Sequence, residues 1–322
     1  GLSSPRLLDV YGDGLPYIVY SGDLKGNLWK FNLFSSNPGD WEAAFSGSPL
    51  YSAVDASGTP VPQPITSAPT LAQNTVVGGL MVAFGTGRNI TENDRTDTSV
   101  QSVYAVRDNT IYMPNSAASP ANSKIKINTG VTPAEVGTGR SNLVQQSVNM
   151  PSVTAGQGAS TGDNFYTLTN NPFNYGSTGT NPNKRGWYID LPVSGERVLG
   201  NMEFFAGTGV LEIISKVPAS GGNTEGETCE PTSTPEKTFR TFMSIQDGKR
   251  PTTLIMDVNG DSYFTNSDRT GGTASGDAFT RSNASNVELK ISTGKKEKRI
   301  GEDRKVRDLT TPPAKLLRPG WR

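Results

Sequence analysis

The stretch of sequence at residues 17–33, YIVYSGDLKGNLWKFNL, decides the fold class. Two short apolar segments flank a polar, glycine-containing turn, which is the pattern of two β-strands joined by a tight connection. In the second segment, Trp29 and its alternate neighbours form a wholly apolar face, and Lys30 lies on the opposite, mostly polar face. The alternation predicts a strand that is buried on one side and half-covered on the other.

The same design recurs along the chain, with an apolar strand that carries an aromatic residue and ends in a polar turn. Four such strands are centred near Trp29, Tyr104, Trp187 and Phe242, so they lie 75, 83 and 55 residues apart. These intervals are irregular and exceed the roughly 40 to 50 residues of one propeller blade. We therefore predict an all-β fold, a modified β-propeller with a partial set of blades, whose loops carry the insertions at residues 38–64, 114–162 and 218–235. A β-sandwich with insertions is the alternative.

The composition excludes several classes of site. The 322 residues contain no histidine and one cysteine, and 30 basic residues balance 30 acidic ones. Without imidazole, the chain cannot supply a histidine base or a histidine zinc ligand. A single cysteine excludes an internal disulfide and a cysteine-rich metal site. No apolar run approaches the roughly 18 residues of a membrane helix, so no integral membrane segment is predicted.

Charge divides the chain into two predicted regions, propeller blades at residues 1–288 and a basic tail at residues 289–322. From Lys290 to Arg322 the sequence contains 11 basic and 4 acidic residues. Such a segment is typical of a solvated, partly disordered tail. Trp321 is its one aromatic residue, which gives little support to base stacking, and we predict no nucleic-acid partner.

Residues 257–268, DVNGDSYFTNSD, which we call the late loop, have the spacing of a calcium-binding loop. Oxygen-bearing side chains fall at positions 1, 3, 5, 9 and 12, and position 7 offers a backbone carbonyl, as Ca²⁺ prefers. Ser262 occupies position 6, where glycine would ease the turn. The alternative is a metal-free Asp/Asn hairpin turn. The predicted ligands are Asp257, Asn259, Asp261, the Tyr263 carbonyl, Thr265 and Asp268.

A second acidic turn at residues 9–17, DVYGDGLPY, which we call the early loop, is a weaker candidate. Asp9 and Asp13 occupy positions 1 and 5, and the Leu15 carbonyl occupies position 7. Tyr11 and Tyr17 stand at positions 3 and 9, where a neutral phenol is a poor ligand for a hard cation. The alternative is a Gly-Asp-Gly turn that leads into the strand at Tyr17.

Several stretches together resemble the PilC/PilY family of type IV pilus proteins, and the resemblance spans nearly the whole chain. They are residues 8–14, residues 20–33 (YSGDLKGNLWKFNL), FGTGR at 84–88, VYAV at 103–106, GWYIDL at 186–191 with GERV at 195–198, and the late loop. In the family, a calcium loop with acidic or amide residues at positions 1, 3, 5 and 9 precedes the Gly-Asp-Leu strand. Only Asp9 and Asp13 carry over to this sequence.

The resemblance implies a quinoprotein-like C-terminal propeller without enzymatic activity, preceded by further blades. It also implies calcium as the bound ion, pilus biogenesis and retraction control, and host-cell adhesion. The implied partners are major or minor pilins and a host-cell surface receptor. The implied location is the pilus tip, cell surface or outer membrane of a bacterium, reached through the periplasm.

Two further functions remain open at this point. One is a quinone-dependent dehydrogenase, which shares the propeller architecture, although the adjacent cysteine pair common in such enzymes is impossible with Cys229 alone. The other is a surface scaffold that binds only other pilus subunits.

Overall fold

The computed structural model describes residues 1–116, 124–149, 163–220 and 234–311. Cys229 and Trp321 lie outside this part of the chain. The described residues are almost entirely β-structure, as predicted. The strands, in chain order, are β1 (Arg6–Leu8), β2 (Ile18–Gly22), β3 (Asn27–Asn32), β4 (Glu42–Ala43), β5 (Tyr51–Ser52), β6 (Thr70–Gln73), β7 (Leu80–Gly85), β8 (Ser102–Asp108), β9 (Tyr112–Pro114), β10 (Ile125–Ile127), β11 (Gly137–Thr138), β12 (Val144–Gln146), β13 (Val148–Asn149), β14 (Phe165–Leu168), β15 (Gly186–Asp190), β16 (Glu203–Phe204), β17 (Val210–Val217), β18 (Lys237–Ser244), β19 (Arg281–Ala284), β20 (Glu288–Thr293), β21 (Lys296–Gly301) and β22 (Val306–Thr310).

Helical structure in the described residues is limited to single turns. One turn, α1 (Ala44–Gly47), contains Phe45 and Ser46 with φ of 55°. Short 3₁₀ turns occur at Pro38–Asp40, Glu92–Thr96, Phe205–Gly207, Asn266–Asp268 and Thr270–Gly272. None of the helices in the described ranges is long and apolar enough to cross a membrane.

Three sheets follow one another as blades. The first blade has the order β1-β2-β3-β5-β11 with β4 beside β3, the second β12-β15-β8-β7-β6, and the third β13-β14-β19-β18-β17-β16. They do not close into a ring, so the fold is a partial, modified propeller as predicted. The four aromatic strands of the sequence are β3, β8, β15 and β18. Because β8 and β15 share the second blade, the aromatic repeat does not mark one blade each.

Apolar side chains fill the spaces between successive sheets. Tyr20 and Leu28 of the first blade pack with Phe84 and Tyr104 of the second. Trp187 of the second blade belongs to a separate cluster that it shares with the third blade. Face-to-face burial of this kind is how propeller blades are held together.

The orientation of β3 differs from the expected one. Leu28 and Lys30 are the buried side chains, whereas the Trp29 face is only half-buried. Lys30 is buried because its Nζ lies 2.6 Å from Oδ2 of Asp108, which is itself buried on β8 and also accepts a hydrogen bond from the Tyr20 hydroxyl. A charged side chain is found inside a protein only when such partners compensate its desolvation.

The segment at residues 137–149 contributes one strand to each blade in turn. β11 pairs in parallel with β5 of the first blade, and β12 pairs in parallel with β15 of the second. β13 then pairs antiparallel with β14 of the third blade. Thirteen consecutive residues therefore join three sheets.

Residues 288–310 fall largely in the predicted basic tail, but they form an antiparallel three-stranded meander, β20-β21-β22. The buried face of the meander carries arginines that pair with acidic residues distant in sequence. Arg299 lies 3.0 Å from Glu212 on β17, and Arg307 lies 2.7 Å from Asp163. Because these carboxylates neutralise the arginines, the charge is compatible with a packed structure. The boundary at residue 288 stays a prediction.

Candidate metal centre

The late loop lies in the connection between β18 and β19 of the third blade, and it packs against β22 of the meander. Its first residue follows Met256, which forms a β-bridge with Leu309, and the Asp257 N–H donates to the Asp308 carbonyl at 3.2 Å. Its last residues form the 3₁₀ turn Asn266–Asp268. The loop is thus anchored at both ends, as a binding loop requires.

The Asp257 carboxylate organises the first half of the late loop. Its Oδ1 accepts the Gly260 N–H at 2.6 Å and its Oδ2 accepts the Ser262 N–H at 2.7 Å. These bonds wrap the backbone around the carboxylate, so that Gly260 and Ser262 have φ of 75° and 62°. The expected departure from glycine at position 6 is accommodated, and the Ser262 hydroxyl donates to Asp308 Oδ2 at 2.8 Å.

The Asp268 carboxylate organises the second half. It is fully buried, and its two oxygens accept the N–H groups of Val258 at 2.8 Å and Thr265 at 2.9 Å. Thr265 is the N-cap of the 3₁₀ turn, and its hydroxyl accepts the Ser267 N–H. Asp268 therefore closes the loop by joining its start to its end.

Asn259 and Asp261 occupy the middle of the loop. Asn259 Oδ1 accepts the Asp261 N–H at 3.1 Å, while Asn259 Nδ2 donates to Asp261 Oδ2 at 3.0 Å and to the Ser267 hydroxyl at 3.1 Å. Asp261 Oδ1 accepts the N–H of Tyr263, whose side chain is exposed. The six predicted ligands of the late loop are thus placed on two successive turns, which the Asp268 carboxylate joins.

In the described part of the chain, the three carboxylates of the late loop lack an ion-pair partner, because the ammonium group of Lys296 reaches the loop but donates to the Ser262 carbonyl at 2.6 Å rather than to a carboxylate. Burial raises the pKa of Asp257 and of Asp268, and the neighbouring carboxylate of Asp261 raises both further. Among the described residues, none of the three forms an ion pair with a lysine or arginine. A hard divalent cation would relieve this repulsion.

No three His, Cys, Asp or Glu side chains within the described ranges form a metal-binding group. What fits calcium at the late loop is therefore the chemistry of its donors, which are carboxylate, amide and hydroxyl oxygens.

The early loop folds in the same way. Asp9 Oδ1 accepts the Gly12 N–H at 2.6 Å, and Asp9 Oδ2 accepts the Gly14 N–H at 2.7 Å. Asp13 Oδ1 accepts the N–H of Leu15, whose side chain is exposed. The three predicted residues of this loop therefore also lie on one turn.

The electrostatics of the early loop are different because Lys124 is present. Lys124 Nζ lies 2.6 Å from Asp13 Oδ2, and the Tyr17 hydroxyl donates to the same oxygen at 2.8 Å. The hydrogen bond from Lys124 is the main reason why the pKa of Asp13 falls to about 2. An ammonium group therefore already neutralises Asp13, and the early loop fits a metal ion less well than the late loop.

Sequence reasoning did not identify Lys124, which lies 111 residues from Asp13. It also did not identify Asp308 or the Asp163 and Glu212 partners of the meander. No local pattern marks these residues, because each pairing is made only by the folded chain.

Comparison with known proteins relates the chain to pilus proteins. Residues 1–129 match the family described as the PilY1 beta-propeller domain. The type IV pilus biogenesis factor PilY1 of Pseudomonas aeruginosa strain PAO1 is 35% identical over 213 residues, which cover 61% of this chain and 17% of the relative. A PilY1 homolog of Xylella fastidiosa is 30% identical over 206 residues, which cover 61% of this chain and 11% of the relative. The chain thus spans less than a fifth of the length of these relatives.

A solved structure has the same fold. The crystal structure of the Pseudomonas aeruginosa PilY1 C-terminal domain matches with a TM-score of 0.70 and 23% identity. The match covers 98% of this chain and 62% of that chain.

Proposed function

Because the chain belongs to the PilY1 family, we propose that it is a propeller segment of a type IV pilus biogenesis factor that acts by binding rather than by catalysis. The observation that carries the proposal is the 35% identity over 213 residues to a protein named as a pilus biogenesis factor. A modified propeller also suits this role, because its sheets are rigid and its loops are free to vary. The proposed location is the pilus, at its tip or at the outer membrane.

We further propose that calcium binds the late loop, held by Asp257, Asn259, Asp261, Asp268, the Thr265 hydroxyl and the Tyr263 carbonyl. The support is the set of buried, unpaired carboxylates in a loop with calcium-binding spacing. Extracellular calcium modules bind in roughly the millimolar range. Bound calcium would fix the loop where it packs against the meander, which preorganises the surface around it.

A calcium titration tests this proposal. Calcium that binds only the folded chain at a hundred times its dissociation constant should add about 2.7 kcal/mol to the free energy of unfolding. The Asp257→Ala, Asp261→Ala double variant should lose this increment, because two of the three carboxylates are gone. The measurement is thermal unfolding in chelator and in rising calcium, with bound calcium determined by equilibrium dialysis.

The early loop supplies the matched control. The Asp9→Ala, Asp13→Ala double variant removes two carboxylates at the same loop positions and should keep the calcium increment. An unchanged increment in the late-loop variant would show that the late loop is not the site. Loss of the increment only in the early-loop variant would move the site there.

The proposed partners are major or minor pilins and a host-cell surface receptor. Pull-down of purified pilins by the chain, set beside its binding to host cells, separates the two roles. Capture of pilins without cell binding favours a scaffold of the pilus, and cell binding without pilin capture favours an adhesin. Failure of both would contradict the proposed binding function.

A further inference from the structure

The dipeptide Asn259–Gly260 is the one Asn-Gly pair in the 322-residue sequence, and it lies in the late loop. The absence of a side chain on glycine leaves its backbone nitrogen open to close approach by neighbouring groups. Gly260 is exposed and Asn259 is half-buried, so water reaches this part of the loop. These are the conditions under which an asparagine side chain reacts with the next backbone nitrogen.

The hydrogen bonds of the loop favour that reaction. The N–H of Gly260 already donates to the Asp257 carboxylate at 2.6 Å, which provides an acceptor for its proton. The side-chain carbonyl oxygen of Asn259 accepts the Asp261 N–H at 3.1 Å, which stabilises negative charge as it develops on that oxygen. The proton acceptor and the oxyanion donor are therefore both in place before reaction.

The early loop shows that the turn alone is insufficient. Its Gly12 N–H donates to Asp9 in the same way, but position 3 is Tyr11, which has no amide to react. The combination of the turn with an Asn-Gly pair is therefore specific to the late loop.

We propose that Asn259 is a site of spontaneous deamidation, which converts it to aspartate or isoaspartate. The Gly260 nitrogen forms a bond to Cγ of Asn259 and passes its proton to Asp257. The Cγ–Nδ2 bond then breaks, and Nδ2 leaves as ammonia after it takes up that proton. The cyclic imide formed is opened by one water molecule, so the net change is amide and water to carboxylic acid and ammonia.

The product changes the charge of the loop. Ring opening at Cγ restores the normal backbone and leaves a carboxylate at position 3, beside those of Asp257, Asp261 and Asp268. Ring opening at the backbone carbonyl gives isoaspartate, which lengthens the main chain by one carbon within the turn. On the proposed function, the first product would bind calcium more tightly and the second more weakly, so the reaction would divide the molecules into two populations.

Peptide mapping of aged protein tests the proposal. The chain is incubated in chelator at neutral pH and digested, and Asn259 is compared with Asn266, which lies in the same tryptic peptide and precedes a serine. We expect Asn259 to convert at least about tenfold faster than Asn266 in the folded chain, and no more slowly than in a synthetic peptide of residues 250–269. Conversion no faster than that of Asn266, or slower than in the free peptide, overturns the proposal.

A variant tests the role of the carboxylate. Asp257→Asn retains an oxygen that accepts the Gly260 N–H but removes the negative charge, and we expect conversion of Asn259 to slow several-fold. If this variant does not fold, the comparison between the folded wild type and the free peptide still decides. The same incubation with added calcium tests the proposed calcium site separately. Slower conversion of Asn259 supports calcium ligation by the loop, and an unchanged rate counts against it. The rate in chelator alone decides whether deamidation occurs.

Discussion

The early and late loops have the same backbone turn and the same hydrogen bonds from backbone N–H groups to aspartate over their first seven positions. In each, an aspartate at position 1 accepts the N–H groups of positions 4 and 6, and an aspartate at position 5 accepts that of position 7. The residues at positions 4 and 6 have positive φ in both loops. The sequence spacing therefore sets the turn in both loops.

What differs is whether the carboxylates of the turn are paired with a cationic side chain. The early loop receives an ammonium group from Lys124, and the pKa of Asp13 falls to about 2. The late loop has a third carboxylate, Asp268, and burial raises its pKa. The comparison teaches that a calcium-like spacing predicts backbone geometry, whereas the balance of charge decides which loop is suited to a cation.

The largest expected difference concerns Asp268, which has no counterpart in the early loop, where position 12 is Tyr20 of β2. Asp268→Ala leaves the N–H groups of Val258 and Thr265 without their partner. Because these groups lie in a buried setting, we expect a loss of about 2–3 kcal/mol in the free energy of unfolding. Urea unfolding in chelator measures it.

The control for this variant is Asp268→Asn, which keeps one acceptor oxygen. In chelator, it should lower the free energy of unfolding by less than the alanine substitution does. Equal stability of wild type and Asp268→Ala would mean that the carboxylate does not close the loop, and the contrast with the early loop would then fail.

A smaller effect is expected from exchange of the residues at position 6. Gly14 has φ of 85° and open space on the side where an alanine methyl group would lie, so Gly14→Ala is strained by its backbone alone. We expect a cost of about 1 kcal/mol. Ser262→Gly relieves a similar strain but loses the hydrogen bond to Asp308, so its net effect should be close to zero.

Ser262→Ala completes this test, because it retains the strained backbone and removes only the hydroxyl. Chemical denaturation in chelator measures the free energy of unfolding of all three variants. A stabilised Gly14→Ala variant would contradict the positive φ at that position.

The smallest effect on stability is expected from Lys124→Gln, because both members of the pair are near the surface and exposed pairs contribute little. Its effect on Asp13 should nevertheless be clear. Without the ammonium group, the pKa of Asp13 should rise from about 2 toward the ordinary value of about 3.9. Carboxyl-detected NMR measures the titration.

The same variant sharpens the comparison of the loops. If charge decides, the early loop of Lys124→Gln should acquire a calcium response that the wild type lacks, while the late loop is unchanged. A Lys124→Arg control preserves the positive charge and should behave as the wild type does.

The fold was predictable from the sequence where it depends on local alternation. The apolar runs near Trp29, Tyr104, Trp187 and Phe242 are strands. The start of each candidate loop is a turn around its first aspartate. Local patterns did not reveal which face of β3 is buried, because that depends on Asp108, which lies 78 residues from Lys30.

The meander was missed for a related reason. Its lysines and arginines are typical of a solvated segment when only neighbours in sequence are considered. Arg307 is buried against Asp163, 144 residues away, and Arg299 against Glu212, 87 residues away. A rule based on local charge cannot anticipate neutralisation by a residue distant in sequence. Lys124 was not identified for the same reason.

The thirteen residues at 137–149, which place β11, β12 and β13 in three successive sheets, bear on how the molecule responds to tension. We expect force applied to one blade to pass along this short covalent path to the next two, so that the sheets share the load. Cleavage within these residues would uncouple them, and the chain would then extend in steps instead of resisting as a unit. On the proposed pilus function, this shared resistance is a mechanical property that single-molecule stretching of the chain can measure.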